Sequence, residues 1–357
     1  MSMKIIYKTA AILLFTFVSC SCSKNDAIIA PISVLSDTIS PSRLISGSYI
    51  VNTLAGGTSG YLDGQGPNAQ FGGPFAVAVD GHGNVYVADY FNHKIRKITS
   101  TGVVTTLAGS TRGFADGKST DAKFSAPSGI AVSKDGYVYV ADTYNNKIRK
   151  ITPNGIVSTL AGSTLGNLDG IPETCKFNRP SDVAVDNDGN VYVADQFNHS
   201  IRKIWHFGYV TTLAGSTQGF ANGIGEEAKF SLPKRITVDT YGNVFVADHS
   251  NNKVRKIAPN GHVKTIAGNT DGEFSHPYGI AIDNKGVVYV GDNSTRIHKI
   301  SRSGELSIFA GSTQGSQDGN LGIATFGTPY GLAIDSRGSL YVADANNHRI
   351  RIIRRKY

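Results

Sequence analysis

The tetrapeptide Tyr-Val-Ala-Asp recurs along this chain of 357 residues at intervals near 53 residues. The copies begin at Tyr86, Tyr139, Tyr192 and Tyr341, with close variants at Phe245 and Tyr289. A second motif, Val-x-Thr-Leu-Ala-Gly, also occurs six times, and its last two copies have drifted. A repeat of this length indicates an array of similar units that bury their apolar faces against one another.

Each repeat contains four short apolar runs separated by turn residues. In the copy from Pro127 to Gly162, the turns carry Asp-Gly and Asn-Gly, and no run is long enough for a helix. The second run, Tyr137 to Ala141, is apolar on both faces, which is typical of a strand covered on both sides. We therefore predict an all-β fold built from four-stranded antiparallel sheets.

Six four-stranded units arranged around an axis make a six-bladed β-propeller, which we predict for residues 48–357. The chain opens on a fourth strand, Ile50 to Ala55, and ends on a first, second and third strand within Pro329 to Ile353. If the first segment pairs beside the last, one composite blade closes the ring and leaves no open edges.

The N-terminal residues carry export signals. Residues 1–21 combine Lys4 and Lys8 with a short apolar run, which predicts a secretory signal too short to span a membrane. The following Cys22, or else Cys20, resembles the lipidated cysteine of bacterial lipoproteins, in particular those of the Bacteroidetes. We expect export and a lipid anchor in the bacterial cell envelope, in the outer membrane, facing the periplasm or the surface. The alternative is a plain cleaved signal with a soluble product.

Residues 22–47 show no repeat signature and are interpreted as a flexible tether. The tether leads into a fourth strand and so enters on the face that carries the short turns. We therefore expect the opposite face, which carries the long loops, to point away from the membrane. Cys175 is the one cysteine beyond the signal region, so the propeller cannot contain an intrachain disulfide.

Three segments of each unit carry a family resemblance: Pro-x-Gly-Ile-Ala-Val-Asp, Gly-Asn-Val-Tyr-Val-Ala-Asp and Asn-x-Lys-Ile-Arg-Lys-Ile. Together they resemble NHL repeats over about residues 48–357. The resemblance implies a propeller that binds ligands or proteins or serves as a sensor domain. Related propellers include lyases and lactonases that use a metal on the axis, so the fold alone does not choose an activity.

Positions at which the repeats disagree are the best functional candidates. The two residues after each loop proline vary most, and we expect them to ring the mouth of the central channel. They are Phe75-Ala76, Ser128-Gly129, Ser181-Asp182, Lys234-Arg235, Tyr278-Gly279 and Tyr330-Gly331. Aromatic rings beside Lys, Arg and Asp suit a sugar or a peptide with an acidic group. The alternative is that these side chains only plug the channel.

One long loop is shortened. Five loops between the second motif and the next proline have 17 residues, whereas the loop from Asn269 to His276 has eight. We predict that this loss opens a notch beside Tyr278, floored by His276, Asn293 and Arg296. Neutral drift of a surface loop is the alternative.

Other polar features have simpler interpretations. His93, His199 and His348 share a turn position with Asn146 and Asn252, and are expected to shape that turn. The Asp-Gly pairs of the long loops are interpreted as turn residues. The formal net charge of +8 comes largely from the third-strand Lys-Ile-Arg-Lys series. We expect these charges to be solvated around the ring, not gathered into a nucleic-acid surface.

The sequence thus predicts a monomeric, envelope-anchored propeller that binds a glycan, a peptide or an envelope protein on its long-loop face. The predicted ligand-binding residues are Phe75, Ser128, Asp182, Lys234, Arg235, His276, Tyr278, Asn293, Arg296 and Tyr330. No cofactor is expected for a binding protein. The alternative function is a lyase or hydrolase for sugars or peptides, assisted by calcium or zinc, with its site at the channel mouth.

Overall fold

The computed structural model of the chain describes residues 49–268 and 270–356. The predicted signal, the tether and the candidate lipidation sites Cys22 and Cys20 lie outside the described residues. Within the described part, no helix combines the length and the hydropathy needed to cross a membrane.

The described residues form six antiparallel sheets, which are the blades of a propeller and are numbered here by the order of their first strands. The first strands are Pro74–Val79, Pro127–Val132, Pro180–Val185, Pro233–Val238, Ile280–Ile282 and Pro329–Ile334. The second strands are Val85–Asp89, Val138–Asp142, Val191–Asp195, Val244–Asp248, Val288–Gly291 and Leu340–Asp344. The predicted all-β, six-bladed propeller is confirmed.

The outer strands complete the blades in the same order. The third strands are Lys94–Ile98, Lys147–Ile151, Ser200–Ile204, Lys253–Ile257, Ile297–Ile300 and Arg349–Arg355. The fourth strands are Val103–Ala108, Ile156–Ala161, Val210–Gly215, His262–Ala267, Leu306–Ala310 and, for blade 6, Tyr49–Gly56. First strands from all six blades line the central channel.

Blade 6 closes the ring as predicted. Tyr49–Gly56 pairs antiparallel with Arg349–Arg355, in a register that places Val51 opposite Ile353. Both of these side chains are buried. The first and last segments of the propeller are therefore held together by backbone pairing and by apolar burial.

The prediction of four strands per blade needs one correction. Blades 1, 2, 4 and 6 each gain a short fifth strand from the long loop, which pairs with the outer edge of the fourth strand. These strands are Gly64–Gln65, Gly117–Lys118, Gly223–Ile224 and Gly319–Asn320. Blade 3 has a single bridge at the same place, Gly170 to Val210. The loops thus cover outer edges that would otherwise be exposed.

Short 3-10 helices occur in two places in the repeat. Those that follow the second strands are Tyr90–Asn92, Thr143–Asn145, Gln196–Asn198, His249–Asn251 and Ala345–Asn347. Those within the long loops are Gly66–Asn68, Ser119–Asp121 and Gly225–Glu227. The first group lies at the end of the channel where the first strands begin. The second group meets the turns between third and fourth strands, because the amides of Gly66, Ser119 and Gly225 donate to the carbonyls of Gly102, Gly155 and Gly261.

The core lies between the blades. Every residue of the second strands is buried, as their apolar pattern on both faces predicts. Small residues are required near the axis because neighbouring first strands approach closely there. A Cβ atom on Gly129 would clash with the backbone of Asp182 in the next blade, so glycine is needed at this position.

The third-strand arginines are buried and not solvated, contrary to the sequence interpretation. Arg96 is fully buried, and its guanidinium binds Asp89 at 2.8 Å and the loop residue Asp63 at 2.6 Å. Equivalent arginines are fully buried in four other blades: Arg149, Arg202, Arg255 and Arg351. The Asp of the loop Asp-Gly pair is therefore an ion-pair partner that fastens the loop, and not simply a turn residue.

The turn histidines act as the sequence suggested and also join neighbouring blades. His93 and His199 adopt left-handed backbone conformations. The Nδ1 atom of His93 accepts a hydrogen bond of 3.1 Å from the Ala126 amide, just before the proline of the next blade. At the same turn position, Asn146 Oδ1 accepts from the Arg179 amide at 2.9 Å. Imidazole and amide side chains are interchangeable here because each supplies one acceptor.

Candidate functional site

A cavity of about 270 Å³ opens at the long-loop end of the central channel. Its walls come from two sets of residues, those after the loop prolines and those after the second strands. The lining residues are Phe75, Tyr90, Ser128, Thr143, Tyr144, Arg179, Ser181, Gln196, Phe197, Lys234, Arg235, Tyr278 and Tyr330. The structure thus brings six of the ten predicted site residues together at the predicted place.

One wall of the cavity is aromatic. Phe75 stacks on Tyr90 with ring centroids 4.1 Å apart and an interplanar angle of 13°. Tyr330 lies 4.9 Å from Phe75, and Tyr278 meets Tyr330 edge to face at 4.4 Å. Rings in such contact support one another's orientation and present a broad apolar face to the cavity.

Arg235 forms the floor of the cavity. Its guanidinium crosses the channel and donates to the backbone carbonyls of Ser181 at 2.7 Å and Phe75 at 2.8 Å. A third bond, of 3.3 Å, reaches the carbonyl of Tyr330. Arg235 therefore links blades 3, 1 and 6 to its own blade 4. A second cavity, of about 250 Å³, lies on the other side of it.

Asp182 lies below this floor and lines the second cavity. Its carboxylate is 3.5 Å from the Arg235 guanidinium and accepts a hydrogen bond of 2.9 Å from the Ile236 amide. Burial raises the pKa of Asp182 to about 6, although the charge of Arg235 acts in the opposite direction. The alternative interpretation, that the residues after the prolines only plug the channel, therefore applies to Asp182 and Arg235. Their charged groups are already bound within the protein.

Lys234 differs from its neighbour Arg235. Its side chain is half-buried in the cavity wall, with Nζ 5.9 Å from the centre of the Tyr278 ring. No hydrogen bond or ion pair joins it to any described residue. Burial, together with the nearby Arg235 charge, lowers the pKa of Lys234 to about 8. None of the thirteen lining residues is acidic, so this cation has no anionic partner within the cavity.

The opposite wall combines a second cation with aromatic and hydroxyl side chains. Arg179 lies between the rings of Tyr144 and Phe197, with its guanidinium carbon 5.1 and 5.2 Å from their centres. The Ser128 hydroxyl is 2.5 Å from the hydroxyl of Thr143 and donates to the Ser181 carbonyl at 2.7 Å. Ser128 is therefore already satisfied within the protein, whereas Arg179 is exposed.

His276 lies beyond the cavity wall. It packs 5.0 Å from His249, which in turn packs 4.4 Å from Tyr278. Burial and the nearby Lys234 charge lower the pKa of His249 to about 4, so this imidazole is neutral at neutral pH. His276 therefore supports the wall through His249 and does not line the cavity.

The predicted notch is not continuous with the cavity. Asn293 is exposed, and its backbone amide donates to the Ser275 carbonyl at 2.8 Å. Arg296 lines a separate cavity of about 290 Å³ beside the fourth strand of blade 5. The two cavities share no lining residue. The deletion thus opens space at the outer rim of the blade, because the missing loop residues would lie along the fourth strand and not at the axis.

Several lining residues were missed from the sequence. Tyr90, Thr143 and Gln196 each follow directly after a second strand, and Tyr144 and Phe197 come one residue later. The signal was present, because the residue after each Tyr-Val-Ala-Asp motif varies between repeats as freely as the residues after the prolines. Variation between repeats therefore marks candidate site residues in both connections on this face, the one after the second strand as well as the one before the first strand.

The cavity does not fit a metal ion. Its lining contains no Asp, Glu, His or Cys side chain, which are the donors that calcium and zinc require. Asp182 is separated from it by Arg235. Among the described residues, no three such side chains converge anywhere else. The donor set therefore disagrees with the axial metal that the related enzymes imply.

Two family models match the chain. The Teneurin NHL domain matches residues 111–178, and the NHL repeat matches residues 177–204 and 326–353. These segments are similar to NHL repeats. The chain is 29% identical to NHL repeat-containing protein 2 of Gallus gallus over 78% of this chain and 46% of that protein. It therefore spans less than half the length of that relative.

Solved structures share the fold of this six-bladed propeller. An auxiliary nutrient binding protein from Bacteroides ovatus superposes with a TM-score of 0.66 at 16% identity, covering 87% of this chain and 78% of that one. The virginiamycin B lyase from Staphylococcus aureus superposes with a TM-score of 0.55 at 16% identity, covering 86% and 99%. At these identities the likeness concerns the fold alone.

Proposed function

We propose that this protein is an envelope-anchored NHL-repeat propeller that binds an acidic glycan or peptide in the cavity on its long-loop face. The observation that carries the proposal is the pairing of an aromatic wall with Lys234, a half-buried cation that has no anionic partner in the cavity.

Burying an ammonium group without a partner costs free energy, and the lowered pKa of Lys234 expresses that cost. A bound carboxylate or sulfate relieves it by forming a charge-assisted hydrogen bond. The rings of Tyr278 and Tyr330 offer apolar faces to sugar C–H groups or to a peptide side chain. The aromatic rings thus contribute affinity through apolar contact, and Lys234 contributes selectivity for acidic ligands.

The fold relatives support a binding role without naming a ligand. The auxiliary nutrient binding protein of Bacteroides ovatus has the same fold, and its name is consistent with binding at a propeller of this kind. The metal-assisted lyase or hydrolase is less well supported, because the cavity lining offers no metal donors.

The proposed anchor is a lipid on Cys22, or on Cys20, joined to the propeller by residues 23–47. In this arrangement the cavity faces away from the membrane, toward glycans, peptides or other envelope proteins. Mass spectrometry of the mature protein tests the anchor. We expect a lipid on the N-terminal cysteine that Cys22→Ala or Cys20→Ala removes, and an unmodified N-terminus would contradict the anchor while leaving the cavity proposal intact.

Glycan and peptide arrays test the ligand class. We expect hits to carry a carboxylate or sulfate, and Lys234→Met to weaken their binding about tenfold or more. The matched control is Lys264→Met, because Lys264 lies exposed on the fourth strand of the same blade. Hits that are neutral, or that bind Lys234→Met as well as the natural protein, would overturn the proposal.

A further inference from the structure

The outer edge of blade 5 differs from every other blade edge. In blades 1, 2, 4 and 6 a loop strand pairs with the fourth strand, and in blade 3 a single bridge does so. Blade 5 has the shortened loop, and no described residue pairs with the outer edge of Leu306–Ala310. One strand edge of the propeller therefore lacks the cover that its equivalents possess.

Blade 1 shows how that cover is held. The carboxylate of Asp63 accepts from the backbone amide of Thr106 at 3.0 Å and from its hydroxyl at 3.1 Å. Arg96 binds the same carboxylate at 2.6 Å and the neighbouring Leu62 carbonyl at 2.9 Å. Arg96 and Thr106, together with the outer edge of the fourth strand, form a site that we call the seat. It receives an extended backbone and one acidic side chain. Blade 6 repeats it with Asp318, Thr53 and Arg351.

Blade 5 keeps the register of this edge, but both side chains of the seat differ and the loop strand is missing. Ile308 holds the position of Thr106, opposite His298 in the same register that places Thr106 opposite Arg96. No described side chain accepts a hydrogen bond from the Ile308 amide. A cavity of about 290 Å³ lies beside this edge, lined in part by Ser275, Arg296, Leu306 and Ile308.

The cavity beside this edge contains two carboxylates, Glu273 and Asp292, and the cation Arg296. Arg296 is exposed, and no described residue forms a hydrogen bond or an ion pair with its guanidinium. His298 is already paired with Asp292 at 3.1 Å, and the carboxylate of Glu273 accepts from the Gly268 amide at 2.7 Å. The Ile308 side chain is 44% exposed. The acidic groups of the cavity are thus engaged, whereas Arg296 is not.

We propose that the edge of blade 5 binds an extended, acidic segment of a partner protein by β-strand addition. The segment takes the place of the missing loop and pairs with Leu306–Ala310. One of its carboxylates accepts from the Ile308 amide, as Asp63 does from the Thr106 amide, and meets the Arg296 guanidinium, since His298 stands where blade 1 has Arg96. A second copy of this chain fits less well, because symmetric pairing brings a second Arg296 to the same edge.

The probe is a synthetic peptide that copies residues 315–324 of the chain, Gly-Ser-Gln-Asp-Gly-Asn-Leu-Gly-Ile-Ala. This segment contains Asp318 and the strand Gly319–Asn320 that occupy the seat of blade 6. We expect saturable binding of the peptide to the full chain by calorimetry, and loss of binding when the peptide aspartate is replaced by alanine.

Variants of the edge locate the binding. Ile308→Pro removes one outward-facing amide, a change that edge strands tolerate, and should weaken binding about tenfold. Arg296→Gln should weaken it by a smaller factor, and Ile308→Thr should preserve or strengthen it by restoring the hydroxyl of the other blades. Lys264→Met, on the exposed fourth strand of blade 4, should have no effect. Circular dichroism confirms that each variant is folded.

The proposal fails if the peptide does not bind, or if Ile308→Pro and Arg296→Gln bind it as well as the natural protein. A dimer in light scattering that dissociates in Ile308→Pro would assign the edge to a second copy. Binding that appears only after removal of residues 1–48 would assign it to the chain itself. Either result would overturn the proposal that a partner segment binds this edge. The proposed function of the channel cavity would be unaffected.

Discussion

Lys234 and Arg235 are adjacent in sequence but are held in different ways. Arg235 is buried and donates to carbonyls from three other blades, so its charge is committed to the fold. Lys234 is half-buried and carries no such bonds. A guanidinium with several fixed donors suits a structural link across the channel, whereas an ammonium on a flexible stem suits the binding of a ligand.

The titration of Lys234 should govern ligand affinity. Its pKa in the free protein is about 8, so the ammonium loses its proton as the pH rises through that value. An anion binds the protonated form, and we expect affinity for acidic ligands to fall between about pH 7 and pH 9. Calorimetry across this range measures the effect. A pH profile that is the same in Lys234→Met would contradict the assignment.

The buried charges of Asp182 and Arg235 should contribute cooperatively to the free energy of unfolding. Arg235→Met leaves the buried Asp182 carboxylate without its cation and should lower the free energy of unfolding by about 3 to 5 kcal/mol. Replacing both residues, with Asp182→Ala and Arg235→Met, should cost less than the sum of the single changes. Urea unfolding of the four proteins measures this coupling, and strictly additive costs would show that the two charges do not interact.

Sequence reasoning found the ring of residues after the prolines because repeats share a backbone, so a side chain that differs between repeats is not required by that shared backbone. The same logic failed for Arg96 and its equivalents. A Lys-Ile-Arg-Lys strand has the composition of a solvated surface, and the burial of Arg96 depends on Asp63, which lies 33 residues earlier. Such a pairing becomes visible only when the loop is placed against the strand.

At the scale of the element, the long loops are parts of the blades. In every blade but blade 5, an acidic or amide side chain of the loop bridges the third-strand arginine and the fourth-strand threonine, and in blade 4 Asn222 takes the place of Asp. The four-strand blade was predictable from apolar runs and turns. The fifth strand was not, because two residues are too few to carry a period.

Removing one fastening should loosen one loop. Asp116→Ala deletes the carboxylate that joins Arg149 to Thr159, and it should lower the free energy of unfolding by about 1 kcal/mol because the aspartate is partly exposed. Hydrogen exchange should increase at Gly117–Lys118. Asp121→Ala, in the same loop and exposed, is the control. Equal exchange in both variants would argue against the fastening role.

For the whole molecule, closure of the ring places the residues after all six loop prolines around one axis. The closing pair of strands buries Val51 against the last segment of the chain. This arrangement was predicted from the order of the repeats alone, since a fourth strand at one end and three strands at the other complete each other. The cavity that results depends on side-chain volumes, which the order of repeats does not fix.

Disrupting the closure should destabilise the entire propeller. Val51→Asp places a charge in the buried seam and should lower the free energy of unfolding by about 3 kcal/mol or more. Val103→Asp is the matched control, because Val103 also lies on a fourth strand but is 37% exposed. Thermal unfolding compares the two. Similar melting temperatures would indicate that the seam is not part of the cooperative core.

The direct test of the account is a crystal structure of the protein with an acidic glycan or peptide selected from the arrays. We predict that the acidic group lies within about 3 Å of Lys234 Nζ, with the apolar part of the ligand against Tyr278 and Tyr330. A ligand found in the cavity below Arg235, or on the long loops without contact to Lys234, would contradict the account.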